Sequence, residues 1–107
     1  MTITILDDSD ETLLTVKKSL LDFERQHPDA QITLRRQNSI SVRIRVVDPG
    51  FAGLRKSERH TLVWNHLETL PDEIQSDISM VVLLTPDEVK GSLGNLEFED
   101  PTPSLIK

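Results

Sequence analysis

Residues 30–47 read AQITLRRQNSISVRIRVV, and the pattern of this segment is the main indication of the fold. Apolar side chains occupy every second position in residues 30–34 and again in residues 40–46, on either side of a turn at Asn38 and Ser39. A period of two is typical of strands with one buried face, and Asn and Ser favour tight turns. The segment therefore predicts an antiparallel hairpin whose apolar face packs on a core.

The polar face of this hairpin is basic, because it carries Arg35, Arg43 and Arg45. Residues 31–60 hold seven Lys and Arg against two Asp and Glu, although the whole chain of 107 residues has 12 Lys and Arg, 18 Asp and Glu and a net charge of −6. A basic surface on an acidic chain is either a solvated face or a surface that meets an acidic partner, and the sequence leaves both open.

Helical patterns and a second kind of strand flank the hairpin. Residues 9–26 repeat apolar side chains at spacings of three and four and stop before Pro28, which predicts a first helix. After the strand-breaking sequence Asp48-Pro49-Gly50, a second helix is expected over residues 57–69. The continuous apolar run ISMVVLL at residues 78–84 is typical of a strand buried on both faces, and we expect it at the centre of the sheet.

The remaining elements complete an α+β domain. A short helical turn follows Pro71, and Thr85-Pro86-Asp87-Glu88 combines a capping residue with proline at the first helical position. The predicted order is αββααβα, with helices on one face of a three-stranded mixed sheet. We interpret residues 1–8 as an N-terminal extension, residues 9–91 as the domain and residues 92–107 as a flexible acidic tail.

Both terminal segments contain apolar side chains that could attach them to the domain. Ile3 and Ile5 alternate with threonines, as in a short added strand, but a stretch this short does not decide between strand and extension. In the acidic tail, Leu93, Leu96 and Phe98 are candidate anchors. With helices on one face only, the other face of the sheet is expected to be open to partners.

The residue composition excludes several classes of function. There is no cysteine, which excludes disulfides, thiol catalysis and any metal site built from this chain's own thiolates. No Gly-x-Ser-x-Gly motif occurs, and the carboxylate pairs stand at predicted helix starts, where capping and the helix dipole account for them. The sequence shows neither a secretory signal nor a membrane span. We expect a non-enzymatic, cytoplasmic protein with no membrane contact, monomeric when alone.

Among the three histidines, His60 is the candidate for metal chemistry. It lies in the first turn of the second predicted helix, and Trp64 follows four positions later on the same side. An exposed histidine beside an aromatic ring can ligate a metal through a neutral ring nitrogen, whereas a local hydrogen bond is the plainer interpretation. His66 points to a different side of this helix and His27 ends the first one, so neither is expected to join His60.

The segment VVDPGFAGLRKSERHTLV, residues 46–63, resembles the BolA family. That family has a Phe-x-Gly loop after its second strand and then a helix with a basic start, Arg-His, and an apolar residue three positions after the His. The matching residues here are Phe51, Gly53, Arg59, His60 and Val63. The run ISMVVLLTPDE, residues 78–88, is similar to the family's closing strand and its sequel. The resemblance covers residues 11–90 and implies a fold related to the type II KH domain.

The resemblance also implies a function. BolA-like proteins pair with monothiol glutaredoxins, which hold a two-iron two-sulfur (2Fe-2S) cluster with a cysteine and glutathione, and they act in iron-sulfur cluster handling or iron-linked stress regulation. The resemblance thus implies that this chain holds no cofactor alone and that His60 is a ligand of a cluster shared with glutaredoxin and glutathione. The implied partner-binding residues are Phe51, Gly53, Leu54, Arg55, Arg59 and Trp64.

Two positions depart from the family pattern. The family's His near the start of the last strand is missing, with Ser79 nearby, and a second ligand position is missing as well. Many family members supply a second ligand, His or Cys, from the loop between the first two strands, and residues 35–39 contain neither. Cluster binding through His60 alone, binding of the apo partner and a role outside the iron pathway therefore all stay open.

Nucleic-acid binding is the alternative function, either as a KH-like module or as a transcriptional regulator. A basic strand face and a basic helix start both suit phosphate groups. The candidate residues are Arg35, Arg43, Arg45, Arg55, Lys56 and Arg59. A net charge of −6 and only four aromatic residues speak against this function. A third class is an adaptor that binds through the open sheet face or the acidic tail.

Overall fold

The computed structural model describes residues 2–5, 11–38, 41–92, 95 and 98. The described residues include four strands, three α-helices and two single turns of 3-10 helix, at Pro49–Phe51 and Pro86–Glu88. The strands and α-helices are β1 (Thr2–Ile5), α1 (Glu11–Gln26), β2 (Gln31–Asn38), β3 (Ser41–Val47), α2 (Lys56–Leu67), α3 (Asp72–Asp77) and β4 (Ile78–Leu84).

The predicted hairpin is confirmed. β2 and β3 pair antiparallel, with Leu34 opposite Ile44 and Ile32 opposite Val46, so the alternating apolar side chains share one face. All four side chains are buried in the main core. Residues 39 and 40, which were assigned to the turn and to the start of the second strand, lie outside the described residues.

The described part of the chain forms a sheet of four strands where three were predicted. Its order is β1-β2-β3-β4, with β1 parallel to β2, β2 antiparallel to β3, and β3 parallel to β4. The α+β class and the mixed sheet are therefore confirmed. The additional strand lies in the segment interpreted as an extension: Ile3 sits opposite Ile32 and Ile5 opposite Leu34, and both isoleucines pack against the main core.

The expectation that residues 78–84 form the centre of the sheet was wrong. Among the described strands, β4 pairs with β3 alone and therefore lies at an edge. Its apolar run has another cause, because Ile78 and Leu83 pack on the main core while Val82 and Leu84 belong to a second cluster on the opposite face. A strand can be apolar on both faces without having neighbours on both edges.

The main core lies between the sheet and the two longer helices. α1 contributes a buried stripe, Leu13, Val16, Leu20 and Phe23. Phe51 joins it from the first 3-10 turn, and Val63 and Leu67 join it from α2. Burying each large apolar side chain of this kind stabilises a fold by about 1.5–3 kcal/mol relative to leaving it in water. This packing fixes the position of α2, which carries the candidate site.

The helical elements after the hairpin are short. α2 begins one residue before the predicted range 57–69 and ends at Leu67. The helix expected after Thr85 is a single 3-10 turn, in which the Thr85 N–H donates to Oε1 of Glu88 at 2.8 Å. In the part of the chain that the structure describes, no helix combines the length and the apolar character that crossing a bilayer requires.

Two residues of the predicted tail lie against the second face of the sheet. Asn95 and Phe98 are helical and buried, and the Phe98 side chain joins the apolar cluster on β4. This part of the face is therefore covered, contrary to the expectation that it is open. The other candidate anchors, Leu93 and Leu96, lie outside the described residues, and flexibility of the rest of residues 92–107 stays a prediction.

Candidate functional site

The loop after β3 directs the chain into α2. Asp48 caps the 3-10 turn, since its Oδ1 accepts a hydrogen bond from the Gly50 N–H at 2.9 Å. The turn buries the ring of Phe51 completely. Gly53 then adopts φ +81°, a left-handed conformation that glycine reaches without the strain of a Cβ. These local features set where α2 starts and therefore where its first-turn side chains stand.

His60 lies on the exposed side of α2, stacked on Trp64. The two ring centroids are 5.5 Å apart with an interplanar angle of 12°. Trp64 is itself partly buried against the main core, so the imidazole is held against a fixed surface. In a stacked arrangement the lone pair or N–H of each ring nitrogen lies nearly parallel to the indole plane, so it is not directed into the indole face. The geometry presents an exposed histidine on a rigid element.

An open cavity of about 280 Å³ lies beside His60, along the outer edge of β4. Lys56 and His60 line it from α2, residues 80–84 line it from the strand, and Ser92 also lines it. β4 is an edge strand in the described sheet, so its outer edge can form one wall of the cavity. The side chains of this wall are apolar, and Lys56 and His60 add one cation and one imidazole. A partner that approaches His60 would therefore also meet the edge of β4.

Arg59 points away from this surface and into the fold, with 6% of its surface exposed. Its guanidinium donates to Oε1 and Oε2 of Glu88 at 2.6 and 3.2 Å. It also donates to the carbonyl oxygens of Leu54 and Leu83, each at 3.1 Å, and lies 5.7 Å from the centroid of the Phe51 ring. Through these contacts Arg59 connects α2 to the loop before it, to β4 and to the turn after β4.

The Arg59 guanidinium lowers the pKa of Glu88 from 4.5 to about 2, and a hydrogen bond from the Thr85 N–H acts in the same direction. A carboxylate that accepts hydrogen bonds from a guanidinium and a backbone N–H is stabilised in its charged form. The ion pair is thus a fixed part of the structure at neutral pH.

The other predicted partner-binding residues surround the start of α2. Arg55 is exposed and precedes the helix, where its N–H donates to Oε1 of Glu58 at 2.9 Å. Leu54 lines a shallow groove together with Leu62, one of the exposed large apolar side chains. The structure therefore brings Leu54, Arg55, His60 and Trp64 to the outside of one helix, whereas Phe51 and Arg59 support it from inside.

The two remaining histidines both pack on Phe23, away from His60. His27 stacks on Phe23 with centroids 4.2 Å apart, and its Nδ1 lies 2.8 Å from Oδ2 of Asp48. His66 meets the same phenylalanine edge-on at 5.7 Å. No pattern in the sequence indicates the pairing of His27 with Asp48, because the two residues belong to different elements that only the tertiary fold brings together.

Comparison with known proteins identifies the fold. No family model matches the sequence, and no curated protein matches it. Among solved structures, BolA1 from Arabidopsis thaliana matches with a TM-score of 0.51 and 17% sequence identity, covering 75% of this chain and 98% of BolA1. The chain has a BolA-like fold. The resemblance noted in the sequence is confirmed at this level, since almost the whole of BolA1 is aligned.

The BolA-like fold separates the six residues of the predicted nucleic-acid surface. Arg55 and Lys56 lie at the start of α2, whereas Arg59 is inside. Arg45 alternates with the buried Ile44 along β3, and it faces the side of the sheet away from the helices, as do the other two hairpin arginines. Within the described residues, Arg35 donates to the carbonyl of Phe98 and Arg45 donates to the side chain of Asn95.

Sequence reasoning missed these two C-terminal residues as a unit. Asn95 and Phe98 are three positions apart, which places them on one side of a helix. The Asn95 N–H donates to Oγ of Ser92 at 3.0 Å, the arrangement of a serine N-cap. A Ser followed by two side chains at helical spacing therefore indicates a short helix. The surrounding glycines, prolines and acids, which are typical of a flexible tail, made this pattern easy to overlook.

Proposed function

We propose that this chain is a non-enzymatic, BolA-like partner of a monothiol glutaredoxin in the cytoplasm, acting in iron-sulfur cluster handling or iron-linked stress regulation. In this proposal His60 is one ligand of a 2Fe-2S cluster, and the glutaredoxin cysteine and glutathione supply others. The observation that carries the proposal is the exposed imidazole of His60, stacked on Trp64 in a BolA-like fold.

The surroundings of His60 suit a ligand that is donated to a partner. A neutral imidazole nitrogen is a good ligand for iron, and it binds best when its ring is already oriented. Stacking on Trp64 supplies that orientation, because holding the ring in place beforehand reduces the entropy lost on binding. In the described residues His60 belongs to no group of three side chains that could hold a metal ion. The proposal therefore assigns the remaining ligands to the partner complex.

The surface around His60 can also receive the partner protein. The cavity along β4 has an apolar wall, and Lys56 places a positive charge at its rim. Leu54 and Leu62 line a second, shallow groove at the start of α2, and the neighbouring Arg55 is exposed. An apolar centre with a charged rim is the usual composition of a protein interface.

The proposal has this chain donate a single ligand. Residues 35–39 contain neither His nor Cys, and residues 35–38 belong to β2. Arg35 is already bonded to the Phe98 carbonyl at 2.9 Å on the far face of the sheet. A second ligand from this position, which many BolA-like proteins have, is absent from the sequence here. Loss of His60 should consequently remove all of this chain's contribution to cluster ligation.

The test is a titration of cluster-loaded monothiol glutaredoxin with this protein, followed by circular dichroism in the visible and near-ultraviolet region. Wild type should change the cluster spectrum, and His60→Ala should not. His66→Ala is the matched control, since it removes another imidazole of α2 whose ring packs on Phe23, and it should behave as wild type. The proposal fails if wild type leaves the spectrum unchanged, or if both histidine variants behave alike.

A second measurement separates docking from ligation. Calorimetric titration with the apo glutaredoxin should give the same affinity for wild type and His60→Ala, because docking uses the surface around the histidine rather than the imidazole. If His60→Ala loses binding to both forms of the partner, the imidazole is a contact residue and the ligand role is lost.

The nucleic-acid alternative is not favoured by the geometry. A continuous phosphate-binding surface needs its cations on one face. The six candidate residues lie at the start of α2, inside the fold and on the far face of the sheet.

A further inference from the structure

The sheet face away from α1 and α2 carries the hairpin arginines and the second apolar cluster. We call it the arginine face. It consists of Arg35, Arg43 and Arg45 with Met80, Val82 and Leu84 of β4. The register explains why these side chains meet, since Arg43 lies opposite Met80 and Arg45 opposite Val82 on neighbouring strands. Cations and apolar side chains thus stand side by side on one surface.

Phe98 fills an apolar socket on this face. Its side chain is fully buried against Val82 and Leu84, with Met80 and Val89 packed around them. The guanidinium carbon of Arg45 lies 4.9 Å from the centroid of the Phe98 ring, within the range of a cation–π contact. The ring is therefore held by an apolar wall on one side and by a cation on another.

Polar contacts fix the positions of Asn95 and Phe98 on the arginine face. Nη1 of Arg45 donates to Oδ1 of Asn95 at 2.9 Å, and Nη1 of Arg35 donates to the Phe98 carbonyl at 2.9 Å. Asn95 is 3% exposed, and its Nδ2 donates to the Val89 carbonyl at 3.3 Å. A buried side-chain amide whose oxygen and nitrogen are both hydrogen-bonded is a specific contact, because leaving either atom without a partner would raise the free energy of the bound state. The arginine face recognises an Asn and a Phe three positions apart.

The sequence around Phe98 is opposite in charge to the arginine face. Residues 97–100 read EFED, so three acids accompany the phenylalanine in the sequence. Three arginines belong to the face. Opposite charges on two partners steer their association and contribute to its specificity.

We propose that the arginine face is a binding surface for an acidic protein segment with an aromatic anchor, of the pattern Asn-x-x-Phe followed by acids, supplied by a partner protein. Residues 95 and 98 of this chain occupy the surface in cis and compete with that partner. The proposal uses the face of the sheet opposite the helices and does not rest on the function assigned to His60.

The bonded groups favour a protein segment over a nucleic acid. They are an amide oxygen, a main-chain carbonyl and a phenyl ring sunk between aliphatic side chains. A peptide offers all three, whereas a phosphodiester chain offers no apolar side chain for a socket formed by Val82 and Leu84. Phosphate binding alone would engage the arginines and leave this socket exposed to water.

Tethering explains why the face is covered in this chain. A segment joined by a short linker acts at an effective concentration on the order of 1 mM. If a free peptide bound the uncovered face with a Kd of about 100 µM, the tethered segment would weaken its binding about tenfold. Releasing the segment should therefore strengthen binding of the free peptide by about this factor.

The test uses the full chain and a fluorescein-labelled peptide with the sequence of residues 92–107, followed by fluorescence anisotropy. Phe98→Ala removes the anchor from the cis segment and should bind the peptide about tenfold more tightly than wild type does. Asn95→Arg places a cation against Arg45 while keeping the phenylalanine, and it serves where Phe98→Ala fails to fold. Far-ultraviolet circular dichroism identifies the folded variants.

Two controls locate the site. Adding Arg45→Ala to the released variant should abolish the gain in peptide binding, and a peptide with alanine in place of its phenylalanine should not bind. The proposal is overturned if the folded released variants bind the peptide no better than wild type, or if Arg45→Ala has no effect. It is also overturned if the released variants gain affinity for a single-stranded oligonucleotide and not for the peptide.

Discussion

Arg59 and Glu88 form an ion pair that joins α2 to the turn after β4. Nη1 of Arg59 lies 2.6 Å from Oε1 of Glu88, with the arginine side chain 7% exposed and the glutamate side chain 44% exposed. The same guanidinium donates to the carbonyls of Leu54 and Leu83. The loop before α2, the end of β4 and the turn that follows β4 therefore all depend on one buried cation at the base of the helix that carries His60.

Arg59→Ala should lower the free energy of unfolding by about 2–4 kcal/mol, because two carbonyls and a carboxylate lose their donor. The Glu88 end of the pair is partly solvated, so most of this loss comes from the buried carbonyl contacts. Urea unfolding measures it. Arg55→Ala is the control: its guanidinium is 84% exposed and pairs with Glu58 at 3.3 Å, and its loss should cost less than about 1 kcal/mol. Equal effects of the two changes would rule out the role given to Arg59.

The ion pair should also make stability depend on pH. The Arg59 hydrogen bond holds the pKa of Glu88 at about 2, below the ordinary value of 4.5. A carboxyl group with a lowered folded-state pKa stabilises the fold fully above the unfolded pKa, and the contribution is lost as pH falls through the folded pKa. Wild type should therefore exceed Glu88→Gln in stability near neutral pH, and the difference should shrink as pH falls from 4.5 toward 2. Urea midpoints across this range test it; a constant difference would contradict it.

The parts of the fold that the sequence predicted are those set by local periodicity. The hairpin follows from the period of two in residues 30–47, and α1 follows from its apolar stripe. Strand order does not follow from such patterns. β4 reads as a central strand because both of its faces are apolar, yet one face packs on Phe98 rather than on further helices. β1 is too short to be assigned without its partner β2.

The site was predictable to a similar extent. The spacing of four between His60 and Trp64 places the two rings together on one helix side, and the structure has them stacked. Arg59 is different, since its partner Glu88 is 29 positions away and the receiving carbonyls belong to other elements. Nothing in a basic helix start distinguishes an arginine that reaches inward from its exposed neighbours Arg55 and Lys56.

Gly53→Ala should destabilise the loop that positions α2. The residue has φ +81°, and a Cβ built there meets no atom within 4 Å, so the cost is backbone strain rather than a clash. Forcing an L-residue into the left-handed region costs about 1–2 kcal/mol. Gly91→Ala is the control, because a Cβ there also meets no atom within 4 Å and its φ lies outside the left-handed region. Urea unfolding should show a loss for the first variant only, and matched losses would count against strain at Gly53.

A second buried contact ties the end of α1 to the same loop. Nδ1 of His27 lies 2.8 Å from Oδ2 of Asp48, and Oδ1 of Asp48 accepts the Gly50 N–H at 2.9 Å. The Asp48 side chain is 4% exposed. Oδ2 of Asp48 is buried and receives no hydrogen bond of standard geometry from the described residues, so the nearby His27 ring is its polar neighbour.

A double-mutant cycle on His27 and Asp48 should reveal this coupling. Asp48→Asn can still accept from Gly50, but its amide nitrogen cannot accept from His27, and we expect a loss of about 1–3 kcal/mol. His27→Ala loses the same contact together with its stack on Phe23. Because both changes remove one interaction, the double variant should be more stable than the sum predicts by about 1 kcal/mol. His66→Ala also touches Phe23 and does not touch Asp48, so it should add to Asp48→Asn in full. Additivity in the His27 cycle, measured by urea unfolding, would mean that the 2.8 Å contact contributes nothing to stability.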